Sequence, residues 1–309
     1  MDQTRRCDDL GMERIVVGMD GSATAAEALR WAVEEGMIRH LPVTAVLAWS
    51  LIDQHHADES VAFEPAYGEA DAAAALDAYV ASALGDEAAA IVWKDVVCER
   101  PAPALVRSAE SASLLVVGSR GLGGFRGLLV GSVSQECLHH FACPVVIVRP
   151  GARSDDERRR IVVGIDGSAT SRRALGWALD EARARQCEIE VVHSWSLPYG
   201  YGYPAPLPLD PTAVAAAAAT LVDSAIADAD TSGLAHPVER ILISGPSPGG
   251  ALLVRAEAAD LVGGRLSRRR RLSRNGARFV GPSDRPPRSL HCGGRPCGSE
   301  AGAVTDNAT

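Results

Sequence analysis

Between Gly118 and Ser134 the chain places glycines and hydroxyls at a spacing suited to holding phosphate: Gly118-x2-Gly121-x9-Gly131-Ser132, with Ser134 two residues on. Glycines let main-chain N–H groups approach phosphate oxygens with no Cβ in the way. Gly131 and Ser132 open a helical pattern, whose unpaired N–H groups and dipole favour an anion. Ser132 and Ser134 add hydroxyl donors. The run lacks the Gly-Lys-Ser/Thr of a P-loop, and Arg126 stands where a dinucleotide fingerprint needs its third glycine. Two more segments close at strand ends, Gly18-Met19-Asp20-Gly21-Ser22 and Leu47-Ala48-Trp49. No nucleophile–base pair or carboxylate pair accompanies the glycines, so the residues point to binding with no assigned reaction.

The elements that must position these residues are legible as alternating strands and helices. Ile15–Val17, Val43–Trp49, Ile91–Cys98, Leu114–Val117 and Val145–Val148 are β-branched or apolar runs of strand length. Between the first two, Ala25, Ala28, Leu29, Ala32 and Val33 recur at helical spacing, with Ser22 where an N-cap belongs. Pro101 and Pro103 suit the opening turn of a later helix, and the Ala-rich segment 69–88 favours another. Such alternation predicts a mostly parallel, five-stranded sheet covered on both faces. In doubly wound sheets, ligands bind beyond the carboxyl ends of the strands, where all three candidate segments fall.

The pattern then repeats. Residues 14–36 and 160–182 are identical at 15 of 23 positions at a constant offset of 146, and Trp49 falls on Trp195. That period means a duplicated domain. The reading is an extension at 1–13, a complete domain at 14–150, a charged linker at 151–159 and an incomplete second domain at 160–262. In the second copy, Ile161–Ile165, Glu190–Trp195 and Val238–Ile243 are expected strands; 168–185, 211–229 and 248–258 are expected helices. After Val262 a basic segment, 263–309, replaces the glycine loop, reading as a disordered tail or as the product of a one-base frame shift. With G/C-rich codons assigned to 264–279, the shifted frame reads VGSRGGGGFRGTVLGS, identical to residues 117–132 at 12 of 16 positions. The second domain is therefore expected to lack its last strands and its phosphate loop. His291, Cys292 and Cys297 fall in the same segment and are not read as metal ligands.

Composition bounds the function. The chain has 309 residues, 47% hydrophobic and 23% charged, enough for two cores. No apolar run reaches the ~18 residues of a membrane span, and acids occupy the N-terminal stretch where a signal peptide needs an apolar one. A cytoplasmic protein without membrane contact is expected. The net charge of −8 divides into +7 over residues 263–309 and −15 over the rest, which argues against nucleic-acid binding by the folded part. Seven irregularly spaced cysteines do not form a disulfide framework and are expected to be buried or incidental thiols.

The segments VVGMDGS at 16–22, LAWS at 47–50, VVGSRG at 116–121 and GSVSQECLHHFACPVVIV at 131–148 resemble the universal stress protein family. The likeness covers 14–149 and most of 160–262, as in a tandem member, and implies the adenine nucleotide alpha hydrolase-like α/β fold. It implies an ATP-binding regulator of the stress response, with at most slow ATP hydrolysis and with Mg or Mn accompanying the nucleotide. By resemblance, Asp20 contacts the adenosine part, Ala48 lines the adenine pocket, and Gly118, Gly121, Gly131, Ser132 and Ser134 hold the phosphates. Family members pair through their last strands, so Val145–Val148, lacking its partner in the second copy, is an expected edge for a homodimer. The alternative is a dimerisation or scaffold module of the same fold that binds no nucleotide.

Overall fold

The computed structural model describes residues 13–56, 63–121, 131–140, 143–149, 160–197, 210–245, 252, 254–255, 259, 261–264 and 278–281. In the first repeat, β1 (Ile15–Met19) leads through α1 (Ala23–Arg39) to β2 (Val43–Trp49). Then come α2 (Glu69–Leu84), the short α3 (Asp86–Ala89), β3 (Trp93–Cys98), α4 (Pro101–Ser108), β4 (Leu114–Gly118), α5 (Ser132–His140) and β5 (Val145–Val148). The second repeat runs β6 (Arg160–Gly164), α6 (Ala169–Arg185), β7 (Glu188–Trp195), α7 (Pro211–Ala227), β8 (Glu239–Ser244) and β9 (Leu261–Gly263), and β10 (Arg278–Gly281) follows.

The five strands of the first repeat lie in the order β3-β2-β1-β4-β5, every pair parallel. The second repeat repeats that order with four, β9-β6-β7-β8, also parallel. This is the expected doubly wound α/β architecture, with fewer strands in the second copy. Strand order reverses at β1/β4, which sets the carboxyl ends of β1 and β4 around one crevice.

Local chemistry accounts for the boundaries. Ser22 caps α1, its side chain accepting from the Ala25 N–H at 3.2 Å, and Ser168 caps α6 in the same way at 3.1 Å. Pro101 occupies the first turn of α4, where its missing N–H costs nothing. Two expectations need correction. The helical run over 69–88 breaks at Gly85, whose φ of +78° no helix tolerates. The third strand starts at Trp93 rather than Ile91, which is exposed in the preceding turn.

One face of the sheet packs against α1, α2 and α6 through Leu29, Leu76 and Leu175. The other face of the first repeat packs under α4 and α5, where Val16, Leu115 and Ile147 meet Leu105 and Cys137. Cys137, Cys143 and Cys187 are buried and form no disulfide, and burial pushes the Cys143 thiol up to about 11, so they act as packing groups. No helix among the described residues is long and apolar enough to cross a membrane.

The structure overturns the expectation that Val145–Val148 lacks a partner. Strand β10, from the Arg-rich segment, pairs antiparallel with β5, Phe279 opposite Ile147, and parallel with β9. It lies between β5 and β9 and joins both halves into one ten-stranded sheet. The remainder of the segment, 265–277 and 282–309, lies outside the described residues. Removing residues 265–309 would uncover the β5 edge. The truncated protein should therefore self-associate in size-exclusion chromatography at concentrations where the full chain does not; identical elution would show that the β5–β10 pairing has no protective effect.

Four charges tie α1 to α6. Arg39 pairs with Glu35 and Glu181, and Arg185 pairs with Glu181 at 2.7 Å and with Glu35. Both carboxylates are fully buried. Each guanidinium also stacks on the other repeat's tryptophan, Arg39 on Trp177 at 5.7 Å and Arg185 on Trp31 at 5.4 Å. Every member is the 146-residue image of another, so the cluster is a product of the duplication.

Burial and the Glu35 carboxylate push Glu181 up to about 7. For Glu35 the upward push of burial is outweighed by a hydrogen bond from Glu181 and by both guanidiniums, which hold it below the usual carboxylate range. Because Glu181 is raised in the folded state, its stabilising contribution is complete below its unfolded value and disappears as pH climbs through about 7. Glu35 has the opposite sign, losing its contribution as pH falls through its depressed value. Thermal denaturation should show the wild type losing roughly 2 kcal/mol more than Glu181→Gln between pH 5.5 and 8. Parallel pH profiles for the two proteins would refute a shared proton at this seam.

Candidate functional site

The carboxyl ends of β1, β2 and β4 and the first turn of α5 enclose a cleft of about 500 Å³. All seven residues singled out from sequence line it: Asp20, Ala48, Gly118, Gly121, Gly131, Ser132 and Ser134. They arrive from four segments distant in sequence, brought together by the strand order.

Each has a distinct local reason for its place. Asp20 follows β1, and its Oδ1 accepts from the Ser22 N–H at 3.0 Å, so it shapes the entry to α1 while facing the cleft. The counterpart in the second repeat, Asp166, accepts from the Ser168 N–H at 3.0 Å. Ala48 is buried in β2 and forms wall. A Cβ on Gly118 would stand 2.7 Å from Thr24 Oγ1, 2.9 Å from the Thr24 carbonyl carbon and 3.0 Å from the Ala25 nitrogen. Glycine here is what lets β4 end against the start of α1. A Cβ on Gly121 would collide with the Asp20 carboxylate. Gly131 is different: a Cβ there would keep at least 3.6 Å from its neighbours.

The two serines divide their work. Ser134 is buried and its hydroxyl donates to the Gly118 carbonyl at 2.8 Å, bracing the end of β4. Ser132 is exposed at the first position of α5 and lines the cleft with Val133 and Ser134, in the turn whose N–H groups have no partner within the helix. Gly131 donates its N–H to the Ser119 carbonyl at 2.7 Å and accepts from the Gln135 N–H at 3.0 Å, fixing how α5 starts. Residues 122–130 of the glycine run, Arg126 among them, lie outside the described residues.

Several residues around the cleft were not found by sequence reasoning. Asp53, Gln54 and His55, from the loop after β2, line it, and Leu105 of α4 supplies an apolar wall. That loop has no periodicity and no recognisable motif, so nothing in the chain marked it. Arg120 lines the cleft beside Gly121, and its carbonyl accepts from the hydroxyls of Thr24 and Ser22. Arg149, buried just after β5, is held below the usual arginine range by burial and by the charge of Arg120. Arg120 and Arg149 thus lie close enough to repel, and the Asp20 carboxylate lies against Gly121, next in the chain to Arg120.

Gly118→Ala should destabilise the protein by roughly 1–3 kcal/mol, because the methyl meets the Thr24–Ala25 backbone as well as the Thr24 hydroxyl. Gly131→Ala should stay within about 0.5 kcal/mol of wild type. Chemical denaturation of the two variants checks this, and equal stabilities would mean that β4 does not end against α1 as described.

The description "Universal stress protein family" belongs to the family model that matches residues 11–149 and 157–275. A universal stress protein of Mycolicibacterium smegmatis is 32% identical over 192 residues, covering 59% of this chain and 63% of the relative's length. Of solved structures, a universal stress protein from Archaeoglobus fulgidus superposes with a TM-score of 0.55 at 18% identity, covering 86% of this chain and 97% of that one. A putative universal stress protein from Pseudomonas aeruginosa gives 0.57 at 13% identity, covering 88% and 93%. These structures share the fold, and the family match reaches past Val262 into the Arg-rich segment. With both repeats matched, the chain belongs to the universal stress protein family.

Proposed function

We propose that the first repeat binds ATP in this cleft and that the protein acts as a nucleotide-responsive regulator. The observation that carries the reading is the convergence of Gly118, Gly121, Gly131 and Ser132 on one cleft that Asp20 and Ala48 also line. The opening turn of α5 supplies main-chain donors for the phosphates, and Arg120 adds charge beside them. Ala48 and Leu105 offer apolar surface for a base, and Asp20 an acceptor for ribose hydroxyls. A divalent ion, Mg or Mn, would travel on the phosphates.

The second repeat keeps Asp166 and its capped helix, but the place of the phosphate loop is taken by the Arg-rich segment, so one nucleotide per chain is the proposed stoichiometry. The cytoplasm is the proposed location. A homodimer through β5 would require β10 to leave that edge, which makes a monomer the reading this sheet favours.

Isothermal titration of the full chain with ATP should give a stoichiometry near one, and Gly131→Ala should weaken binding at least about tenfold by placing a methyl in the cradle. Absence of heat with wild type would leave the fold as a scaffold module without ligand. A stoichiometry of two would overturn the assignment of the second repeat.

A further inference from the structure

Exposed apolar side chains are ordinary when scattered singly and informative when held together. Leu51 and Ile52, in the loop after β2, are 50% and 96% exposed, and Phe63, on the arm returning towards α2, is 61% exposed. None of the three lines the cleft.

Hydrogen bonds fix these residues on neighbouring stretches of chain. The Ser50 hydroxyl accepts from the Ile52 N–H at 3.3 Å and from the Asp53 N–H at 3.0 Å, closing a turn with Leu51 and Ile52 at its tip. The Gln54 amide nitrogen donates to the Leu51 carbonyl at 3.1 Å and to the Glu64 carbonyl at 2.7 Å, and its oxygen accepts from the Glu64 N–H at 2.8 Å. One side chain thus ties the tip to the residue that follows Phe63. Tyr67 repeats the link further in, its hydroxyl accepting from the His55 N–H at 3.1 Å and donating to the His55 carbonyl at 2.5 Å. Backbone held this way has little freedom left to lose when a partner covers it.

Charge decides the occupant. Asp53 follows Ile52, Glu64 follows Phe63, and both acids are exposed. From His40 to Trp93 the sequence holds nine acids and no lysine or arginine. Two copies of this surface, or the surface and an anionic lipid layer, would bring like charges together. Cationic side chains interspersed with apolar ones answer both features at once, with apolar contact at the centre and opposite charges around it.

We propose that Leu51, Ile52 and Phe63 form a docking surface for a basic, amphipathic segment of a partner protein. The segment's apolar residues cover the three side chains, and its cations meet Asp53 and Glu64. This holds whatever the cleft contains.

The test is fluorescence anisotropy of the full chain with a synthetic peptide of about 15 residues, leucine at helical i, i+3, i+4 and i+7 spacing and arginine elsewhere. One control peptide has serine for every leucine, and the other has glutamate for every arginine. The leucine–arginine peptide should bind at least about tenfold more tightly than either control, and Ile52→Ser or Phe63→Ser should each weaken it about tenfold. Asp53→Asn combined with Glu64→Gln should weaken it and flatten its salt dependence. Ile91→Ser, at an exposed residue before the opposite end of the neighbouring strand β3, should change nothing. Full affinity in Ile52→Ser and Phe63→Ser, an equal loss in Ile91→Ser, or equal binding of the serine control overturns the proposal. So does self-association of the wild type, or its co-sedimentation with anionic lipid vesicles, that Ile52→Ser abolishes, since the surface would then belong to a second copy or to a membrane.

Discussion

The cleft exists because the end of β4 presses against the first turn of α1. At Gly118 there is no room for a methyl group, since the Thr24 side chain and the Thr24–Ala25 backbone occupy the space. The contact is then sealed by hydroxyls: Thr24 and Ser22 both donate to the Arg120 carbonyl, and Ser134 donates to that of Gly118. Three strand and helix termini are thereby locked into one floor. Residues of all three termini and Asp20 line the same volume. A binding site made of element ends needs this kind of bracing, because termini otherwise fray and lose the alignment of their dipoles.

The same closeness sets the charges of the cleft. The Asp20 carboxylate lies against Gly121, next in the chain to Arg120, and Asp53 also lines the cleft. A polyanion bound there would meet repulsion from Asp20 as well as attraction from Arg120, so its hold would rest on main-chain donors at the start of α5 as much as on charge.

The fold and the main-chain cradle were legible in the chain because both rest on local rules. Periodicity marked nearly every strand, Ser22 marked the first helix, and the glycine spacing marked the turn around α5. What could not be read was set by contacts between distant residues. Ile91 is apolar and β-branched, yet it sits in the turn before β3, because pairing with β2 begins at Trp93 opposite Thr44. Arg278–Gly281 offers only Phe279 and Val280 as strand formers, too short a run within a basic segment to signal a strand; the open edges of β5 and β9 give it that role. His55 lies in an irregular loop whose place depends on Tyr67, twelve residues away. The charge cluster was hidden for a different reason. Glu35 and Arg39 look like a solvated i,i+4 pair on one helix, and become buried only when a second copy of that helix supplies Glu181 and Arg185.

That cluster also explains how the two repeats can differ so much in their sites and still form one molecule. Helix α1 spans 17 residues, roughly 25 Å. Its first turn floors the cleft, and its last turn carries Glu35 and Arg39 to the seam. Helix α6 repeats both ends, Thr170 and Ser168 at the start, Glu181 and Arg185 at the finish. The seam requires only the second end, so the second repeat can do without the glycine run of the first without weakening the junction. Among the described residues, the first repeat draws none of its cleft from its neighbour. Duplication thus supplies a reciprocal interface that holds as long as the two helices remain, while each site is free to change with the loops around it.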